Sequence, residues 1–226
     1  MKPTSKIFAT AITVMMIFSA VIYSSCHKDP CSGVNCQNGG ACSQGNCICP
    51  TGFTGGHCQY STITYFNNTF TPVYITINGS STTIQPGESV FYYGTPGDNA
   101  VGTATTYGQT NSGTQIGDAI NFTFNDVFSY NGGLEDDINI SSDYFYLKIN
   151  NASSFNIGQE YVNFGTNAHT YDQVSIPNDG NTYGMGYYLA YNNTELRLLT
   201  SGGGHVWDYV INIPFQQNAS YTFFAN

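Results

Sequence analysis

Short runs of Val, Ile, Thr, Tyr and Phe recur from Tyr60 to the end of the chain, with polar or small residues between them. A period of two is typical of β-strands, because successive side chains point to opposite faces of a sheet. Turn-forming pairs such as Asn78-Gly79 and Pro96-Gly97 separate the runs. The clearest predicted strands are Tyr74–Ile77, Val90–Tyr93, Ile120–Phe124, Tyr144–Ile149, Tyr187–Tyr191 and Val210–Phe215. No segment has the pattern of a three-turn helix, so we predict an all-β fold.

Similar segments recur along this region, which predicts an internal duplication. The matching pairs are Asn67-Asn68-Thr69 with Asn150-Asn151-Ala152, Thr83–Glu88 with Ser175–Gly180, and Asp118, Ile120, Asn121 and Phe124 with Asp208, Ile211, Asn212 and Phe215. We predict two copies, residues 62–125 and 144–216, joined by an acidic linker around Leu134–Asp137. Each copy is small for a core of its own, so we expect residues 60–226 to form one antiparallel β-sandwich. Two separate small domains are the alternative.

The N-terminus has the pattern of a secretory signal. Lys2 and Lys6 precede an uncharged apolar run, Ile7–Tyr23. We therefore predict that residues 1–25 are a signal peptide and that the chain is exported. Because the run is marginal for crossing a bilayer core of about 30 Å, an uncleaved anchor is the alternative.

Charge excludes two classes of partner. Only 8% of residues are charged and the formal net charge is −9. The five Lys and Arg residues never cluster along the chain, so the sequence offers neither a groove for nucleic acid nor a polybasic membrane patch.

Six of the seven cysteines lie between Cys31 and Cys58, and Cys26 stands apart. In an exported chain, six thiols with a C-x-C core favour disulfides over a zinc site, although spacing alone leaves the pairing open. Cys36–Cys42 fits C-x-N-G-G-x-C and Cys49–Cys58 fits C-x-x-G-F-x-G-x-x-C. This segment resembles the EGF family. The resemblance implies an EGF-like module at residues 31–58 and the pairs Cys31–Cys42, Cys36–Cys47 and Cys49–Cys58.

Cys26 follows the small residue Ser25 at the end of the apolar run. It resembles the lipidated cysteine of a bacterial, Bacteroidetes-type surface lipoprotein, in which residues 26–30 would form the acylated cysteine, carrying chains such as palmitate, and a tether. The alternative is a secreted protein in which Cys26 is removed or free. The region after the module resembles only uncharacterised lipoproteins of this type, and that resemblance implies no function.

Candidate catalytic groups are few. Ser201, His205 and Asp208 are near one another in sequence but lack a nucleophile-elbow pattern. Glu135, Asp136 and Asp137 could serve as paired carboxylates or calcium ligands, but they match no loop spacing and are typical of a solvated linker. Asp29 alone precedes the first cysteine of the module, which does not favour calcium there. We therefore predict no enzyme activity, no catalytic residues, no metal and no cofactor.

Aromatic residues of the second copy give the better functional hypothesis. Tyr183, Tyr187, Tyr188, Tyr191 and Trp207 could form a platform for stacking sugar rings, with burial in the core as the competing interpretation. We expect a cell-surface lipoprotein, in the outer membrane if bacterial, with a role in interaction or adhesion and the EGF-like module as spacer. Its ligand would be a glycan or a protein. The alternative is a carbohydrate-binding accessory protein or a polysaccharide hydrolase subunit.

Overall fold

The computed structural model describes residues 29–110, 113–164, 167–168, 172–190, 194–200, 204–212 and 214–226, with no side chains described within 161–172 or at 211. The chain forms two compact units, one ending at Gln59 and the other comprising Tyr60–Asn226. Every regular element in these ranges is a β-strand. Within them, no helix is long and apolar enough to cross a membrane.

The first unit is a small disulfide-rich module. Its strands are β1 (Ala41–Ser43), β2 (Asn46–Ile48) and β3 (Phe53–Thr54), of which β1 and β2 form an antiparallel hairpin. The disulfides are Cys31–Cys42, Cys36–Cys47 and Cys49–Cys58. Three cross-links within so few residues stabilise a segment too short to bury a sufficient core. The Asp29 carboxylate accepts a hydrogen bond from the Cys31 amide at 2.9 Å, so it has a local structural partner.

The second unit begins with seven strands arranged as two layers. They are β4 (Tyr60–Asn67), β5 (Val73–Ile77), β6 (Ser80–Ile84), β7 (Ser89–Gly94), β8 (Asn99–Gln109), β9 (Gln115–Val127) and β10 (Leu134–Ile138). In one layer, β4 lies antiparallel to β7 and parallel to β10. In the other layer, the antiparallel order is β6-β5-β8-β9. We call this the first repeat.

The remaining strands have the same pairing and form the second repeat. They are β11 (Tyr144–Asn151), β12 (Ile157–Phe164), β13 (Asn167–Ala168), β14 (Asp172–Ile176), β15 (Thr182–Leu189), β16 (Thr194–Thr200), β17 (Val206–Ile211) and β18 (Ala219–Ala225). Here β11 lies antiparallel to β15 and parallel to β18, and the opposite layer has the order β14-β12-β16-β17. Apart from the two-residue β13, each strand has an equivalent in the first repeat.

At the end of β4, the buried Asn67 side chain forms hydrogen bonds with backbone groups of the first repeat. The Asn67 amide group donates hydrogen bonds to the carbonyls of Thr71 and Ile84, at 3.0 and 2.8 Å. Its side-chain oxygen accepts from the Thr69 amide at 2.8 Å. Asn67 is fully buried, so these bonds satisfy polar groups that water cannot reach.

Asn151 forms the same network where β11 ends. Its amide group donates to the carbonyls of Phe155 and Ile176, at 2.9 and 3.0 Å, and its oxygen accepts from the Ser153 amide at 3.2 Å. Asn151 is also fully buried. The equivalent asparagines are therefore Asn67 and Asn151, one residue later in the second repeat than the sequence comparison suggested.

Each repeat buries a core between its own two layers. The first core includes Ile63, Tyr65, Val73, Ile75, Ile77, Ala104 and Phe124. The second includes Phe145, Leu147, Ile149, Ile157, Tyr188, Leu196 and Trp207. Ile116, from the start of β9, packs in the second core, so the first repeat contributes a residue to the second. A smaller cluster of Ile120, Ile140, Tyr146 and Tyr187 joins residues of both repeats.

These observations confirm an all-β chain with a disulfide-rich module followed by β-sandwich structure. The two repeats share a continuous seven-stranded sheet in the order β18-β11-β15-β9-β8-β5-β6, and each repeat also buries a core of its own. Two details are corrected. Leu134–Asp137 is not a linker, because it lies in β10 and pairs with β4. The predicted strand Val210–Phe215 in fact begins at Val206 and ends at Ile211, leaving Phe215 exposed whereas Phe124 is buried.

Candidate functional site: the β6–β7 edge of the first repeat

The predicted stacking platform is not exposed. Tyr187 and Tyr188 are buried in β15 at 0% and 1% exposure, and Trp207 is buried in β17. Tyr183 is half-buried against the second core, and its hydroxyl donates to Asp179 at 2.6 Å. Tyr191 lies outside the described residues. A sugar ring needs an accessible aromatic face, so Tyr187, Tyr188 and Trp207 cannot provide one together.

Tyr187 has a structural role between the repeats. Its hydroxyl oxygen accepts a hydrogen bond from the Phe70 amide at 3.0 Å and is bonded to the Thr71 hydroxyl at 2.9 Å. The Thr71 hydroxyl is also hydrogen-bonded to the Thr106 hydroxyl, which donates a hydrogen bond to the Pro72 carbonyl at 3.0 Å. A tyrosine of the second repeat therefore satisfies buried polar groups of the first.

The three acidic residues of β10 do not form a metal site. Asp136 is half-buried, and burial together with the nearby Asp126 charge raises the pKa of its carboxyl. Asp126 accepts a hydrogen bond from the buried Tyr65 hydroxyl at 2.7 Å, and burial and this bond raise the tyrosine pKa. Glu135 is exposed. In the described part of the chain, no three His, Cys, Asp or Glu residues are grouped so that they could hold a metal ion.

His205 and Asp208 have separate partners. The His205 ring stacks on the exposed Phe155 ring at 5.2 Å and meets Trp207 at 4.5 Å. Asp208 forms a two-pronged ion pair with Arg197 on the neighbouring strand. The structure thus gives each residue a contact unrelated to general base catalysis, while Ser201 lies outside the described residues.

The structure instead presents an aromatic surface on β7. Phe91 and Tyr93 are 61% and 62% exposed, and they point to the same side because residues two apart in a strand share a face. The Tyr60 ring lies 5.6 Å from the Tyr93 ring. Large aromatic side chains exposed together are typical of binding surfaces.

A groove of about 400 Å³ lies beside this surface, between strands β6 and β7. Its lining includes Ile77, Val90, Tyr92 and Phe128, while Ser80 and Thr82 contribute polar atoms from β6. The Tyr92 hydroxyl donates to the Ser80 carbonyl at 3.4 Å and so links the two strands.

Gly94 is required at the end of β7 because Phe128 packs directly against it. A Cβ at this position would lie 2.4 Å from the Phe128 ring, closer than any real contact. The glycine thus allows Phe128, which is buried, to reach the groove. We call β6, β7 and this groove, with Phe91 and Tyr93, the β6–β7 edge.

The equivalent edge of the second repeat is covered. There, β15 lies next to β9 of the first repeat and pairs with it in parallel at one residue pair, Tyr187 opposite Gly117. The approach is close, since a Cβ on Gly186 would lie 2.4 Å from the Ile116 carbonyl oxygen and one on Gly117 would lie 2.7 Å from the Tyr187 carbonyl oxygen. By contrast, the only described strand that pairs with β7 is β4.

A second concave surface lies between the repeats. It encloses about 340 Å³ and is lined by Gln109, Gln173, Tyr183 and Met185, among others. Gln109 donates from its side chain to the Tyr74 hydroxyl at 2.9 Å, and the half-exposed Tyr74 ring stacks on Tyr107 at 5.5 Å. Amide groups beside stacked tyrosines are suited to polar ligands with apolar faces.

Comparison with known proteins adds no assignment, since the chain matches no protein-family model and none of the curated protein sequences.

Sequence reasoning missed the β6–β7 edge because Phe91, Tyr92 and Tyr93 form a continuous aromatic run. Such a run looks like core, yet strand alternation directs only Tyr92 inward. The signal that was present is the absence of any charged residue in β7.

Proposed function

We propose that the chain is an exported, lipid-anchored surface protein that binds other proteins without catalysing a reaction. The signal pattern and the isolated Cys26 support anchoring through acylation at that cysteine. The cysteine motifs support an EGF-like module, which acts as a spacer next to the anchor. The two repeats then form the binding head.

The observation that carries this proposal is the β6–β7 edge. It combines two exposed aromatic side chains on one face of a strand with a groove that is partly lined by apolar side chains, on an acidic protein. Partner recognition usually concentrates in a few aromatic anchors that become desolvated on binding. Phe91 and Tyr93 are the anchors in this account.

Binding is tested by presenting the full chain, purified in detergent, to arrays of host, matrix and bacterial surface proteins. We expect capture of at least one partner by the wild type and loss of that capture in the Phe91→Lys/Tyr93→Lys variant. Val210→Lys is the matched control, because Val210 is a 72% exposed apolar residue on another strand. Equal capture by both variants would contradict the proposed surface, and absence of any captured protein would contradict the proposed role.

Anchoring is tested by the intact mass of the protein recovered from its native membrane. A chain that starts at Cys26 and carries acyl glycerol is expected. A chain that starts beyond Cys26, or that retains Met1, would refute the lipid anchor and leave a secreted or signal-anchored protein.

Carbohydrate binding is the second candidate function, and the concave surface between the repeats favours it. Gln109, Gln173 and Tyr183 line this surface and offer polar atoms, and the half-exposed Tyr74, which is hydrogen-bonded to Gln109, lies next to it with part of its aromatic face accessible. A glycan array with the wild type and a Tyr74→Ala/Gln109→Ala variant tests this candidate. Glycan binding that the variant loses supports it, and binding that survives the substitutions refutes this location.

A further inference from the structure

The two repeats differ at one equivalent edge. In the second repeat, β15 has β11 on one side and a strand of the first repeat, β9, on the other. In the first repeat, β7 has β4 on one side and no described strand on the other. The same fold therefore shows this edge once with a strand beside it and once open.

Edge strands usually carry features that prevent pairing with another chain, such as charged residues, proline or bulges. The β10 edge contains Glu135, Asp136 and Asp137, and the β17 edge contains Asp208. The sequence of β7, Ser-Val-Phe-Tyr-Tyr-Gly, contains no charged residue and no proline, and its pairing with β4 is regular from end to end. The β18 edge is also uncharged. Its equivalent in the first repeat, β10, has no described strand on its outer side, so the other repeat gives no example of a strand added at that edge.

We propose that β7 binds an extended polypeptide segment as an added β-strand, with apolar side chains of that segment at alternate positions. This inference rests on the proposed function and specifies how the partner binds. Main-chain hydrogen bonds to the open edge of β7 would supply affinity, and alternate side chains would contact Phe91, Tyr93 and the rest of the groove that these two residues help to line.

A flexible segment fits this edge better than a second copy of the folded head. The strand beside β15 comes close because Gly186 has no side chain. Ile63 and Leu147 are equivalent residues of β4 and β11, and their partners in register are Tyr92 and Gly186. Tyr92 thus stands where the second repeat has glycine, so the contact that Gly186 allows between β15 and the Ile116 carbonyl is not reproduced at β7. A single extended peptide needs only the main-chain spacing of a strand ladder and has no folded domain behind it that must also fit.

The test uses a peptide of three Thr-Val repeats with one lysine at each end, and the full chain in detergent. The control peptide has the same side chains but methylated backbone nitrogens, so it lacks the hydrogen atoms that a strand ladder requires. We expect the unmethylated peptide to bind at least about tenfold more tightly. We expect the Phe91→Lys/Tyr93→Lys variant to lose a similar factor, and Val210→Lys to bind like the wild type.

Equal affinity for the two peptides, or no binding of either up to millimolar concentration, would overturn strand addition. Neither result affects the protein-array experiment, so failure of this inference is distinguishable from failure of the proposed function. A concentration-dependent doubling of mass that the double lysine variant abolishes would also overturn it, because a second copy would then occupy β7.

Discussion

The hydroxyl of Tyr187 offers the sharpest test of how the two repeats are joined. In a Tyr187→Phe variant the ring remains between the repeats, but the Phe70 amide loses its acceptor and the Thr71 hydroxyl loses one partner. The lost oxygen belongs to Tyr187, which is 0% exposed and lies beside the buried Thr71, so water has little access to its position even though Phe70 itself is half-buried. The perturbation is thus confined to hydrogen bonding.

An unsatisfied buried donor costs about 1–3 kcal/mol, and a lost neutral hydrogen bond about 1 kcal/mol. Together they predict a loss of about 2–4 kcal/mol in the free energy of unfolding. For a unit of this size, each kcal/mol of lost stability lowers the thermal midpoint by about 3 °C, so we expect the midpoint to fall by about 6–12 °C. Differential scanning calorimetry of the full chain measures this shift.

Tyr146→Phe is the matched control. Its ring lies 5.0 Å from that of Tyr187, and burial raises the pKa of its hydroxyl to about 12, but the structure gives that hydroxyl no hydrogen bond to a described residue. We expect its midpoint to change by less than about 3 °C. If Tyr146→Phe is destabilised as much as Tyr187→Phe, the hydrogen bonds to Phe70 and Thr71 do not join the repeats.

Three further predictions concern the repeats and their charges. Asn67→Ala and Asn151→Ala should each lower the free energy of unfolding, measured in urea, by about 2–4 kcal/mol, because each substitution leaves the equivalent buried backbone groups without hydrogen-bond partners. A large cost in only one repeat would show that the two networks are not equivalent. Gly186→Ala should lower the free energy of unfolding by more than about 2 kcal/mol, since Gly186 has a φ of 125° and its added Cβ would meet the Ile116 carbonyl. Gly79→Ala is the control, because Gly79 also has a positive φ but lies in open space, and it should cost about 1 kcal/mol. Similar costs for the two variants would contradict the close approach of β9 to β15. Burial and, secondarily, the Asp126 charge raise the pKa of the Asp136 carboxyl in the folded state, so its contribution to stability falls as pH rises from about 4 through that pKa. Asp136→Asn should therefore raise the thermal midpoint at pH 7 and flatten its pH dependence, and an unchanged profile would show that the pKa of Asp136 is not raised.

Much of the fold was readable from the sequence because alternation reports which face of a strand is buried. The predicted strands Tyr74–Ile77, Val90–Tyr93, Ile120–Phe124 and Tyr144–Ile149 all lie within observed strands. The acidic segment Leu134–Asp137 escaped this reasoning because Asp and Glu are uncommon in strands. It is a strand because it pairs with β4 along five residues, and this tertiary contact cannot be predicted from the local sequence pattern.

The predicted site failed for a related reason. Tyr187 and Tyr188 are consecutive, so alternation allows only one of them to face the core of the second repeat. Both are buried because the first repeat covers the opposite face of β15, and that contact depends on how the repeats pack. Conversely, Phe91 and Tyr93 are exposed because no described strand covers β7, which the sequence of β7 alone does not reveal.

Amide hydrogen exchange in β7, measured on the full chain with and without a saturating concentration of the Thr-Val peptide, tests the central claim most directly. The account predicts that the outward amides of Ser89–Gly94 exchange rapidly in the free protein and are slowed at least about tenfold by the peptide. Exchange in β15 should stay the same, because β9 already lies beside it. Unchanged exchange in β7, or protection that appears at β18 instead, would contradict the claim that β7 is the open binding edge.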